Sequence, residues 1–130
     1  MLDFFRTIFD KPDDDRTGQT TGENITFIIA IEQIEIGRLS FVDNVWSFKY
    51  SDEFIKQKKY HRLVGFPNLE KTYTSDVLWP FFKIRIPGLK QPMIQEIISE
   101  EGLNPNNEVQ LLKRFGRKST YNPYILETAG

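Results

Sequence analysis

The sequence predicts an α+β fold: a small, curved antiparallel β-meander covered by two to three short helices. Three observations carry that expectation. From Ile25 to Tyr50 apolar residues alternate with polar or small ones, the two-residue period of strands with one buried face. From Pro92 to Gly116 the apolar residues instead fall three and four apart, in two runs that each end on glycine. With 11 Phe and 39% hydrophobic residues in 130, the chain can bury one core and is no disordered polymer.

The N-terminus differs from this body. Leu2, Phe4, Phe5, Ile8 and Phe9 form an apolar turn or two, with Phe5, Ile8 and Phe9 at helical spacing. Lys11 to Glu23 then reads as a polar linker, with Pro12, Gly18 and Gly22 and no periodicity. Residues 1–24 hold six acids and three bases, whereas the remainder holds 12 acids and 14 bases. The organisation expected is therefore an apolar turn plus flexible acidic linker over 1–24 and one domain over 25–127. The turn either folds back on that domain or acts as a tethered docking segment for a partner.

Within the meander, Ile25, Phe27, Ile29 and Ile31 mark a first strand, and Ile34, Ile36, Leu39 and Phe41 a second. The phase slips by one at Gly37-Arg38, where a glycine inside a strand suggests a bulge. Asp43-Asn44 suits a two-residue hairpin loop, because both residues tolerate positive φ. Trp46, Phe48 and Tyr50 then share the buried face of a third strand, with Ser47 and Lys49 toward water.

After Ser51 the chain turns polar and basic, through Lys56, Lys58, Lys59, His61 and Arg62. Val77 to Pro87 is the exception, since seven of its eleven residues are apolar and they keep to no single face. Read as a helix, Leu78, Phe81 and Phe82 share one side while Trp79, Ile84 and Ile86 spread around the others. Such a helix needs cover from more than one direction. It is either the centre of the core or a surface capped by another protein. A later helix starts near Pro92, carries Ile94, Ile97 and Ile98, and stops at Gly102. The last has Asn104 as N-cap, Pro105 at its first position, Val109, Leu112 and Phe115 inward, and Gly116 at its end. Lys113 and Arg114 complement its C-terminal dipole. A short strand over Tyr124 to Leu126 closes the domain.

Composition narrows the function. The chain has no Cys, which removes disulfides, thiolate catalysis and Cys-ligated zinc and suits a reducing compartment. No apolar run approaches the ~18 residues of a membrane span, and the acidic N-terminus is unlike a signal peptide. A cytoplasmic protein without membrane contact is expected. A single His61 cannot supply a Ser/His/Asp set, and its setting is that of a solvated surface residue. Asp13 to Asp15 lack the alternation of a calcium loop, and Asp52-Glu53 and Glu100-Glu101 are adjacent pairs that point apart. No glycine-rich phosphate loop or metal-ligand spacing occurs. The expectation is a non-enzyme with no cofactor and no metal. Two clusters, Lys56 to Arg62 around Tyr60 and Lys113 to Lys118 around Phe115, have the make-up of a stacking and phosphate-contacting surface. Lys58, Lys59, Arg62, Lys113 and Arg114 are the candidate nucleic-acid or rim contacts, although both clusters are short and direct nucleic-acid binding is not expected.

Ile36-Gly37-Arg38-Leu39-Ser40 followed by Trp46-Ser47-Phe48-Lys49-Tyr50 resembles the opening of HipA-type serine/threonine kinases, the toxins of type II toxin–antitoxin systems. Pro80-Phe81-Phe82 with Ile84-Arg85-Ile86-Pro87 resembles that family's Pro-Phe-Phe…Leu-Leu-Pro helix. Leu111-Leu112-Lys113-Arg114-Phe115-Gly116-Arg117-Lys118-Ser119 is similar to the Leu-Leu…Ile-Gly-Arg-Asp-Ser segment that closes the N-terminal subdomain. The ordered set covers roughly residues 25–120. The chain departs from full kinases at Ile86-Pro87-Gly88-Leu89, which lacks their acidic residue, and at Thr120-Tyr121-Asn122-Pro123. It also ends at Gly130, ahead of any kinase core with an ATP loop or catalytic Asp.

The resemblance implies a detached regulatory subdomain, like the small separate protein that restrains a truncated kinase in tripartite, HipBST-type systems. It implies as partner a HipA/HipT-like kinase, with a HipB-like helix-turn-helix protein in the same system. Leu78, Trp79, Phe82, Arg85 and Ile86 are the candidate partner-binding residues. Two alternatives remain open: a nucleic-acid binder, or a general interaction adaptor derived from a split kinase.

Overall fold

The computed structural model describes residues 23–129. The apolar turn of Leu2 to Phe9 and the linker up to Gly22 lie outside the described residues. Strand β1 (Ile25–Ile31) pairs antiparallel with β2 (Ile34–Val42), and β2 with β3 (Val45–Tyr50). Helix α1 (Asp52–Lys56) and strand β4 (Tyr73–Ser75) follow, then α2 (Pro80–Lys83), α3 (Pro92–Glu101), α4 (Glu108–Phe115) and β5 (Ile125–Thr128). The strands form one five-stranded antiparallel sheet in the order β4-β3-β2-β1-β5. An α+β architecture is what the alternating and helical periods predict.

Meander geometry follows from particular residues. Asp43 and Asn44 both take positive φ, at 53° and 65°, and make the tight β2–β3 turn. The bulge lies where the phase slips: Ile29 faces Gly37 but Ala30 faces Glu35, leaving Ile36 as the extra residue. Ile36 and Gly37 are thereby both turned to the interior. Gly37 has no alternative, because a Cβ there would come within 2.5 Å of the Lys49 carbonyl oxygen and 2.9 Å of the Phe48 ring.

One face of the sheet carries the core. Phe27, Ile29, Leu39, Phe41, Trp46, Phe48 and Tyr50 are all buried, and Phe54, Leu63, Phe66, Leu78, Phe82, Val109 and Leu112 close over them. Tyr50 adds a polar tether, its hydroxyl accepting from Leu63 N (2.8 Å) and donating to Phe66 O (2.6 Å). Burial pushes this phenol up to about 12, so it stays neutral and able to donate. The irregular stretch after α1 is thus fastened to the sheet by a strand residue.

Several elements differ from the periodicity. Helix α1 and strand β4 fall in a segment that reads as polar coil. Ser51 caps α1 by accepting from Phe54 N at 3.0 Å, and its hydroxyl donates to Glu35 O, so a single side chain fixes the turn. Helix α4 starts later than Asn104-Pro105 suggests: Asn107 is the N-cap and accepts from Gln110 N at 3.1 Å. Val109 and Leu112 do face inward, but Phe115 is only half-buried and Leu111 is enclosed instead. The last strand runs Ile125–Thr128, starting one residue and ending two residues later than expected, and pairs with β1 over Phe27–Ala30. Finally, α3 does not cover the core. None of its ten residues is buried.

Candidate partner-docking site

The Val77–Pro87 segment is not one helix. Trp79 is the N-cap of α2, Pro80 takes the first helical position without losing a needed donor, and three more residues complete it. Beyond Lys83 the chain tightens into three-residue turns, with Arg85 N donating to Phe82 O (3.1 Å) and Ile86 N to Lys83 O (3.0 Å). This tightening sorts the side chains into an inner and an outer set.

Leu78, Phe82 and Arg85 form the inner set. Phe82 is fully enclosed, its ring 5.7 Å from Phe48 and 5.9 Å from Phe66. Arg85 is 4% exposed. Its Nη1 donates to Gly116 O (2.8 Å) and Arg117 O (3.3 Å), and its Nη2 to Asn122 Oδ1 (3.1 Å) and Tyr124 O (2.9 Å). The guanidinium thus ties the α2 turn to the end of α4 and to the lead-in of β5. Burial lowers it to about 10, which leaves it charged at neutral pH. Its Nε is the one buried side-chain nitrogen or oxygen among the described residues without a hydrogen-bond partner. The five candidate partner-binding residues therefore do not form a single exposed ridge. Leu78, Phe82 and Arg85 are turned into their own fold, because a sheet face lined with large aromatics needs a cover and these residues supply it.

The outer set is Val77 (67% exposed) and Ile84 (48% exposed), with Trp79 and Ile86 half-buried against the core. Trp79 meets Phe66 edge-on at 5.2 Å between ring centres, so its ring is held in place while part of it faces water. Val77 and Ile84 were missed as candidates. Their outward direction depends on where the short helix ends, which the apolar run does not reveal. What the segment offers a partner is apolar contact on a rigid frame, beside the exposed Lys83 ammonium, which lies 3.4 Å from Glu108.

Ion pairs take up part of the basic clusters. Lys113 lies 3.8 Å from Glu23, Arg114 makes a two-pronged bond to Glu101 (2.8 and 3.0 Å), and Lys59 lies 3.8 Å from Glu32. Lys58 and Arg62 are exposed on a separate loop, and Arg62 borders an open groove shared with Pro67, Asn68, Leu69 and Glu70. Three of the five candidate phosphate contacts thus already face carboxylates. Among the described residues no group of three His, Cys, Asp or Glu could hold a metal ion, and no helix is long and apolar enough to cross a membrane.

No curated protein matches this chain. The family model for the HipA N-terminal domain matches residues 27–120, a span running from β1 through the sheet, the α2 turn and α4 to the loop that Arg85 fastens. Since that match takes in well over half of its length, the chain belongs to the HipA N-terminal domain family.

Proposed function

We propose that this protein is a non-catalytic regulatory module that docks on a HipA/HipT-like serine/threonine kinase and restrains it. Family membership ties the chain to HipA-related toxin–antitoxin modules. The observation that carries the finer reading is the split of the α2 turn. Leu78, Phe82 and Arg85 lock the turn from inside, and the locked turn holds Val77, Trp79, Ile84 and Ile86 at the surface. An aromatic anchor held in advance loses little entropy on binding, and such anchors dominate interface energies. The docking unit is the domain over residues 25–127. Pressed against a kinase lobe, it would hold the lobes in an unproductive arrangement or block the ATP loop.

Co-expression with a HipA/HipT-like kinase that lacks its own N-terminal subdomain tests this. The chain should co-purify with the kinase and relieve its toxicity. Trp79→Ala paired with Ile84→Asp should weaken the complex by at least about tenfold while leaving the fold intact. A chain that neither co-purifies nor relieves toxicity is not the restraining partner.

A further inference from the structure

We infer that the Leu63–Phe66 turn is a second contact of the docking surface, offering Val64 to an apolar pocket and Arg62 to carboxylates on the kinase lobe that covers the α2 turn. The inference rests on the kinase-docking reading and deepens it. Between α1 and β4 lie sixteen residues, 57–72, that form neither helix nor strand. An ordered loop of that length is uncommon in a small domain and usually functional. At its centre Phe66 N donates to Leu63 O (3.1 Å), closing a β-turn with Val64 and Gly65 at the tip. Gly65 takes a φ of 93°, the left-handed value that the third position of a type II turn demands. Leu63 and Phe66 are buried, whereas Val64 is 81% exposed, the highest value among the large apolar side chains of the described residues.

A lone exposed valine is ordinary, but this one is held out by a built support. The Tyr50 hydroxyl, fixed on β3, grips both ends of the turn, accepting from Leu63 N and donating to Phe66 O. The turn therefore has its shape before a partner arrives and loses little entropy on binding. It is also joined to the docking residue of the α2 turn. The Phe66 ring carries Trp79 edge-on at 5.2 Å between ring centres. Val64 stands two residues from Phe66, which the chain can separate by no more than about 7 Å. One buried ring thus seats two outward apolar groups, Val64 and Trp79. Charge then sets the chemistry of the surface they meet. Arg62 is exposed directly before the turn, and among the described residues no carboxylate pairs with it. A cation beside an apolar tip fits a pocket rimmed by Asp or Glu.

Calorimetric titration of the full chain into a HipA/HipT-like kinase lacking its own N-terminal subdomain tests the contact. Val64→Asp should raise Kd at least about tenfold, with the amide pattern of the sheet unchanged as the check on folding. Arg62→Glu should raise Kd about threefold or more and flatten its rise with added salt. Lys49→Glu, a charge reversal at an exposed position on the outer face of β3, should leave Kd within about twofold. Either Val64→Asp or Arg62→Glu binding as the unaltered chain does overturns the second contact. So does an equal loss from Lys49→Glu, which would report overall charge alone. If Trp79→Ala paired with Ile84→Asp still weakens the complex in those cases, docking through the α2 turn stands without this turn. No complex with the unaltered chain removes both readings.

Discussion

Helices α3 and α4 are near neighbours in sequence and similar in length, yet they stand in opposite relations to the core. Of the eight residues of α4, Val109, Leu111 and Leu112 are buried, and the first and last of these join the aromatic cluster on the sheet. Of the ten residues of α3 none is buried, and its clearest described tie to the domain is the exposed Arg114–Glu101 pair. Both helices have apolar residues at helical spacing and a glycine after the last turn. An amphipathic stripe therefore announces that a helix needs cover without saying how deeply its own domain buries it. The same division recurs within the α2 turn, whose inner side is core and whose outer side is only partly covered.

Truncating each stripe would break this comparison most directly. Leu112→Ala should cost about 3 kcal/mol, the usual range for an enclosed leucine, whereas Ile97→Ala should cost under about 1 kcal/mol. Both are read from chemical denaturation, and equal losses would mean that α3 is as deeply seated as α4. The next effect sharpens the inner side of the α2 turn. Arg85→Met removes four charge-assisted donor contacts but also relieves the burial of a cation, for a net loss of about 2 kcal/mol. Arg85→Lys should recover little, because an ammonium cannot reproduce the planar fork that reaches Gly116, Asn122 and Tyr124. A neutral outcome for Arg85→Met would show that the 116–124 loop holds itself.

The smallest effect concerns the tether of α3. The bond from Arg114 holds the Glu101 carboxyl below its ordinary 4.5. Since the folded-state value is the lower one, the pair contributes above pH 4.5 and its contribution is lost as pH falls through the folded value. The protection of the α3 amides, taken relative to their intrinsic exchange rate at each pH, should fall over that window, and Glu101→Gln should make that protection insensitive to acid. The pair is exposed, so added salt should weaken it as well.

Much of the sheet was legible because each strand carries its own pattern. Trp46, Phe48 and Tyr50 alternate, Asp43-Asn44 supplies positive φ, and the slip at Gly37 marks a bulge that the pairing bears out to within one residue. Helix α1 was hidden, since five residues are too few for a period and its cap depends on Ser51 reaching Glu35 across a strand pair. Strand β4 was hidden for a related reason. Three residues hold no alternation, and only pairing with Trp46 to Phe48 makes them a strand. The candidate site was half-legible. The run from Val77 to Pro87 marks an apolar segment, but not which of its side chains turn inward.

The sequence by itself determined the class of fold, the meander, the two C-terminal helices and the resemblance to the HipA N-terminal domain, because period and local chemistry are written residue by residue. Only the tertiary structure decided that Arg85 is an internal brace, that Leu78 and Phe82 belong to the core, and that α3 lies off it. Burial is set by what packs against a residue from elsewhere in the chain. A stretch such as Trp-Pro-Phe-Phe-Lys-Ile-Arg-Ile has the same composition whether a sheet closes over one side or both.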